Sequence, residues 1–283
     1  IRSSNQQMIY MDLSASEVLI RTRLKSRKQF RMNALKNEYR SGVFLLMILN
    51  GVLLILNVID VNWVWFGFEW EGQYLKQFVH EGTYLLILSI LTSGVVVLYY
   101  FRDNLNFYEQ NRMLKVLSYL WLIQNGILAI SVGIRNFWYI HHFALAYKRI
   151  GVIIFLVMTI YGLFTVFIKL WKRKSSFYLF KVNAYSILLI LMVSSTINWD
   201  IIIARYNFNN ATKSFLHLDY LSTLSDKALP HLNVSLSELK RIEFIQKEKF
   251  PFEEKFMTSE EYSRKIESRK AIFKERWESK GFL

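Results

Sequence analysis

Five strongly apolar stretches set what this chain can fold into: Ser41–Ile59, Thr83–Phe101, Val116–Ile134, Ile150–Leu170 and Phe177–Ile197. A helix rises about 1.5 Å per residue, so about 20 apolar residues cross a hydrocarbon layer of about 30 Å. Each stretch has close to that reach, and an ordinary soluble domain would not carry five. The expected fold class is therefore all-α: a polytopic transmembrane helical bundle with an extramembrane helical C-terminal tail. Residues 1–40 read as a cytoplasmic basic amphipathic arm, 41–199 as a five-span bundle and 200–283 as an extracytoplasmic helical tail.

Charge orients the spans. Up to Trp199 there are 21 Lys and Arg against 9 Asp and Glu, whereas from Asp200 onward the balance is 15 against 13. The cationic excess thus lies beside the apolar stretches, where it marks cytoplasmic ends and meets anionic lipid. Arg21–Arg40, Arg102–Lys115 and Lys169–Lys174 read as inner segments. Asp60–Gly82, with one Lys against Asp60, Glu69, Glu71 and Glu81, reads as outer. Arg135–Arg149 and the tail then fall outside as well. The net charge of +14 comes with no nucleic-acid recognition motif, so no nucleic-acid partner is expected. The expected partners are the lipid bilayer and other membrane or envelope proteins. The sequence begins at Ile1 and shows no signal peptide, which reads as a chain with something upstream.

Local signals divide the remainder. Ser14 and Glu17 have capping-box spacing and open a basic amphipathic helix over Leu13–Glu38. Asn62–Trp70 holds three Trp and two Phe, as an interfacial anchor does. Arg135–Arg149 is aromatic and too short to span, so it reads as a re-entrant or interface-lying segment. In the tail, Leu218–Leu224 reads as a short helix. Ser235 and Glu238 open another that ends near Phe250, before Pro251. Thr258 and Glu261 open a third, which carries Tyr262, Ile266, Phe273 and Trp277 on one face and stops near Gly281.

Candidate chemistry is sparse. The chain has no cysteine, which excludes disulfides, thiolate metal sites and a cysteine nucleophile. There is no Ser-His-Asp order, HExxH, Walker or glycine-rich phosphate motif, so no catalytic residue, metal or cofactor is assigned. Adjacent His141 and His142 point to different sides of a helix and do not chelate by themselves. Inside the spans the polar positions are Asn50, Asn57, Asp60, Gln124 and Asn125. Amides that bond between helices account for them, and a transporter would want a central charge. Just past the fifth span the polar density rises. Arg135, Asn136, Asp200, Arg205, Tyr206, Asn207, Asp219 and Asp226 form a candidate joint or functional cluster, in which Asp200 pairs with Arg205 or with Arg135 and Asn136.

Within that cluster NWDIIIARYNFNNA (Asn198–Ala211) resembles the NPDALIARYN signature of an uncharacterised bacterial membrane family, the domain of unknown function four-one-seven-three. LDYLSTLSDKALPHL (Leu218–Leu232) resembles that family's LDYLxxLSxDAxPxL segment. Asn37–Leu46 and Arg135–Gly151 are similar to two further segments, the latter through Tyr139, Ala146, Tyr147 and Arg149. Trp199 stands where the signature has proline, and Lys148 where threonine is usual. The resemblance implies a bacterial cytoplasmic-membrane protein with further spans upstream and no established activity. The expected role is a membrane scaffold or accessory subunit of a cell-envelope complex. The alternative is an enzyme or carrier for lipid or envelope precursors at the outer interface, using Asp200, Arg205 and Asp219, with a transporter third.

Overall fold

The computed structural model describes residues 28–66, 87–92, 94–101, 104–108, 110–251 and 257–278. They are helical with no strand among them. Four helices are long and apolar enough to cross a membrane: Asn33–Phe66, Arg112–Phe143, Tyr147–Lys172 and Ser176–Thr196. The stretch expected at Thr83–Phe101 contributes a shorter apolar helix, Ile87–Tyr100, and its residues 83–86 and 93 lie outside the described residues. Large apolar side chains cover the outer faces of these helices, with Phe44, Phe180 and Met192 all exposed. A helix that is apolar all round needs hydrocarbon or protein around it.

The chain divides into two compact units. The first holds Ile154–Met192 together with the described parts of Ile1–Glu69 and His80–Ile134. Helix α1 (Lys28–Asp60) runs unbroken through residue 40, so Lys28–Arg40 belongs to the first apolar helix rather than to a separate surface helix. The capping box at Ser14 and Glu17 lies outside the described residues. A π-helical turn, Val61–Phe66, prolongs α1 and leaves Trp63 and Phe66 exposed.

Polar rungs tie α1 to α2 (Arg112–Phe143). Asn50 Nδ2 donates to the Leu46 carbonyl at 2.6 Å and to the Leu117 carbonyl at 3.1 Å. Its Oδ1 accepts from Gln124 Nε2 at 2.8 Å. One heptad on, Asn57 Nδ2 donates to the Gln124 carbonyl at 3.1 Å. Asp60 then accepts from Ser131 Oγ, which also accepts from Trp65 Nε1 at 3.2 Å. Asn125 is fully buried and donates to its own helix, at the Trp121 carbonyl. Between the rungs Leu46, Leu53, Leu114 and Leu128 fill the core. Such amide pairs fix the rotation of one helix against the next, each worth about 0.6 kcal/mol and rarely above 2 kcal/mol in a membrane setting.

Helices α3 (Tyr147–Lys172) and α4 (Ser176–Thr196) repeat the device with one amide. Asn183 Nδ2 donates to Thr165 Oγ1 at 3.0 Å, close to Gly162. Lys169, the first residue of the basic segment Lys169–Lys174, is 1% exposed, and its Nζ donates to the Phe101 carbonyl at 3.0 Å. That carbonyl closes the Ile87–Tyr100 helix, where a cation is favoured by the unpaired C=O groups.

The second unit contains Arg135–Ile153 and the described part of Val193–Leu283. It contains α5 (Trp199–Asn209), the short α6 (Leu218–Ser222) and α7 (Leu229–Leu232), then α8 (Leu236–Lys249) and α9 (Ser259–Glu278). The caps are where the sequence places them. Ser235 Oγ accepts from the Glu238 N–H at 3.3 Å. Thr258 and Glu261 form both halves of a capping box, at 3.0 and 3.2 Å. Of the apolar stripe on α9, Tyr262 and Ile266 are buried while Phe273 is exposed. The stop at Gly281 lies outside the described residues.

One close approach in the first unit is sharp enough to test. A Cβ added to Gly42 on α1 would lie 2.9 Å from two ring atoms of Tyr100 and 3.1 Å from Leu114. Tyr100 is itself buried and cannot swing clear. Gly42→Ala is expected to cost about 1–3 kcal/mol through overpacking, despite the better helix propensity of alanine. Chemical unfolding in detergent micelles measures it; an unchanged or raised midpoint would contradict the packing described.

Candidate functional site

Of the polar cluster expected past the last span, Asn136, Asp200 and Asn207 gather at the turn that joins α2 to α3. Arg135–Arg149, expected as a re-entrant or interface-lying segment, is not a separate element but holds the end of one helix, a turn and the start of the next. Residues 135–143 continue α2, and Tyr147 already begins α3. The reversal takes only Ala144–Ala146, with Ala144 left-handed at φ 62°. A C-terminal left-handed residue ends a helix sharply, and glycine usually takes that place.

A helix end exposes carbonyls without intrahelical donors. Here successive carbonyls each meet a donor. Ser214 Oγ donates to His141 O at 2.7 Å, and the Phe215 N–H to His142 O at 2.5 Å. Arg149 Nη1 donates to Phe143 O at 2.5 Å and to Ala144 O. Its guanidinium carbon lies 4.5 Å from the Tyr139 ring centroid, so the cation is stacked as well as bonded. Asn207, buried on α5, grips the next residue from both sides. Its Oδ1 accepts from the Leu145 N–H at 2.7 Å, and its Nδ2 donates to the Leu145 carbonyl at 3.0 Å. The Tyr147 N–H donates to Tyr220 Oη at 3.0 Å. Burial pushes the Tyr220 phenol above its usual range, so it stays a neutral hydroxyl.

The expected residues divide accordingly. Asn136 is buried and donates to the Arg149 carbonyl at 3.1 Å, and Arg135 is buried on the same stretch of α2. Asp200 accepts from Tyr147 Oη at 2.7 Å in the first turn of α5, which Asn198 caps. The pairing of Asp200 with Arg205, or with Arg135 and Asn136, does not form. Arg205 lies on the exposed face of α5, and Tyr147 takes the Asp200 carboxylate instead. Tyr206 is also exposed and contributes its carbonyl, to Asn210. Asp226 belongs to a second knot. Arg269 of α9 donates to Asp226 at 2.5 Å and to the Ser222 and Leu224 carbonyls at 2.7 Å each.

Asp219 is set apart from both. It lines a shallow open groove with His217, Leu239, Glu243 and Gln246. Glu243 accepts from Ser259 Oγ at 2.5 Å, and that hydroxyl holds its carboxyl below the usual range. Gln246 is buried and donates to the Ala211 carbonyl. The span residues Asn50, Asn57, Asp60, Gln124 and Asn125 belong to the first unit and form the rungs described above. No group of three or more metal-type ligands stands together among the described residues.

Sequence reasoning missed Ser214 and the roles of Tyr220, Arg149 and Tyr147. Ser214 and Tyr220 serve backbone atoms 73 residues away, Arg149 serves carbonyls just behind it, and Tyr147 Oη meets the Asp200 carboxylate, so no spacing rule announces them. The clamp on Leu145 yields a direct test. Asn207→Leu keeps the bulk but strands the part-buried N–H and C=O of Leu145, with an expected cost of about 1–3 kcal/mol. Asn207→Asp, which keeps an acceptor for the N–H, is expected to cost less. Unfolding midpoints of both variants in detergent check this; equal and negligible losses would contradict the clamp.

No curated protein and no solved structure matches this chain. A family model does match, over residues 13–233, and its description is Domain of unknown function (DUF4153). The match takes in the joint, Asn207 and Tyr220 together, and ends at α7, before α8 and α9. The family number is thus not four-one-seven-three, the one the resemblance gave. With well over half its length matched, the chain belongs to the domain-of-unknown-function family DUF4153.

Proposed function

We propose that this chain is a membrane-embedded scaffold or accessory subunit of a bacterial cell-envelope complex. In this reading it sits in the cytoplasmic membrane as a multi-pass protein, with the basic N-terminal arm cytoplasmic and the tail outside. The four apolar helices and the cationic flanks support the membrane placement. One observation favours a scaffold over an enzyme. At the joint Asn207, Arg149, Tyr220, Asn136 and Asp200 each bond to the chain's own backbone or side chains. Groups so engaged hold a shape and leave little for a substrate.

The surface offered to partners is on the last helices. Phe244 of α8 is 71% exposed, and Leu236 and Ile272 are exposed as well. Their partners would be other membrane or envelope proteins. The second reading, a lipid- or precursor-handling enzyme or carrier, draws on Asp219 and His217 in the groove. Transport is less favoured, because the amides of α1 and α2 are bonded across the helix pair.

Isolation from native membranes in mild detergent tests the scaffold. The wild-type chain is expected to migrate in a larger complex, and Phe244→Asp with Ile272→Asp to run alone with an unchanged unfolding midpoint. A wild-type chain that always runs alone would contradict the scaffold. A folded, inserted Asp219→Asn that retains the complex but loses the cellular phenotype would instead favour chemistry in the groove.

A further inference from the structure

We propose that the first unit carries a binding site for the phosphate of an anionic phospholipid, built from Lys115 and Arg173. The site belongs to the first unit and does not rest on the scaffold reading.

Arg173 follows α3 in a conformation that arginine seldom adopts. Its φ is 50°, and the Lys174 N–H reaches back to the Lys169 carbonyl at 3.0 Å. That six-to-one bond is the Schellman helix ending, in which the left-handed position normally belongs to glycine. A side chain there is strained, and strain retained at one position points to a use for the side chain. The strained residue carries a guanidinium held over the Phe107 ring, 5.8 Å from its centroid. Asn111 Nδ2 holds the Leu105 and Asn106 carbonyls of the turn that carries Phe107, at 2.9 and 3.1 Å, and Lys115 stands one helical turn on, its N–H bonded to Asn111 O at 3.0 Å. The start of α2 thus brings Lys115 near the guanidinium that lies over Phe107, and the two cations repel. Among the described residues neither has a carboxylate within salt-bridge distance. Lys115 is moreover partly buried, so water screens the pair incompletely.

Two like charges held together without a counter-charge form a receptor for an anion. A guanidinium fork matches two oxygens of a phosphate, and an ammonium adds a point charge. The surroundings select a lipid over a soluble ion. Arg173 lies between two helices of spanning length, and Trp171, Phe177 and Phe180 beside it in sequence are exposed, Phe180 at 80%. Aromatic side chains flanking cations at the end of apolar helices are the furnishings of a headgroup layer.

The test uses the full chain purified in neutral detergent, with thermal unfolding followed on addition of phosphatidylglycerol, phosphatidylcholine or sodium phosphate. Phosphatidylglycerol is expected to raise the midpoint of the wild type, and to do so less as salt is added. Lys115→Gln with Arg173→Gly is expected to weaken that response by roughly tenfold in lipid concentration. Arg173→Gly alone is expected to unfold at the same or a higher temperature without lipid, because glycine relieves the left-handed backbone. That variant therefore separates a lost ligand from a damaged fold. An undiminished lipid response in the double variant would overturn the site. An equal response to phosphatidylcholine would remove the need for an anion, and an equal response to sodium phosphate would overturn the assignment to lipid.

Discussion

A backbone carbonyl at the end of an apolar helix must find a donor, and in or near hydrocarbon water cannot be counted on to supply one. The reversal between Arg112–Phe143 and Tyr147–Lys172 meets that demand in three residues. Donors come from four places: Ser214, the Phe215 N–H, Arg149 and Asn207. Three of these lie more than sixty residues further along the chain. The tail is therefore what completes the turn, and much of the second unit is arranged to deliver those groups. Asn198 caps α5 so that Asn207 arrives two turns later on its buried face. Tyr220 approaches from the short helix α6 and accepts the Tyr147 N–H.

The first unit solves a milder form of the same problem. Apolar side chains gain little by leaving lipid for one another, so shape and hydrogen bonds decide how helices meet. Asn50, Gln124 and Asn57 give α1 and α2 a fixed register, and Gly42 lets the Tyr100 ring come close. Lys169 neutralises a helix end from inside the unit. These contacts are short in reach and specific in direction, where a purely aliphatic seam would tolerate sliding.

Much of the architecture was legible in the sequence because it rests on composition and on local rules. Spanning helices declare themselves by length, and the boxes at Ser235 and Thr258 by their partners three residues on. The turn at Ala144 was not legible. Arg135, His141, His142, Lys148 and Arg149 look like a polar connection, yet the first three continue a helix and Arg149 bonds the carbonyls that end it. Ala144 in a left-handed conformation carries no glycine to announce a stop. In the candidate site the right neighbourhood was found and the wrong pairs. Charge complementarity suggested Asp200 with Arg205, but those side chains leave α5 in different directions, and a tyrosine hydroxyl reaches the carboxylate first. The partners that matter are backbone atoms, which every residue has and no motif spells.

Hydrogen exchange at single amides tests most directly whether the tail completes the turn. The N–H groups of Leu145 and Tyr147 lie outside any helical ladder, and each is bonded to a tail side chain, Asn207 or Tyr220. In the intact chain they are expected to exchange as slowly as amides inside the neighbouring helices. Exchange at the rate of an open surface loop, with the helices on either side still protected, would contradict the account.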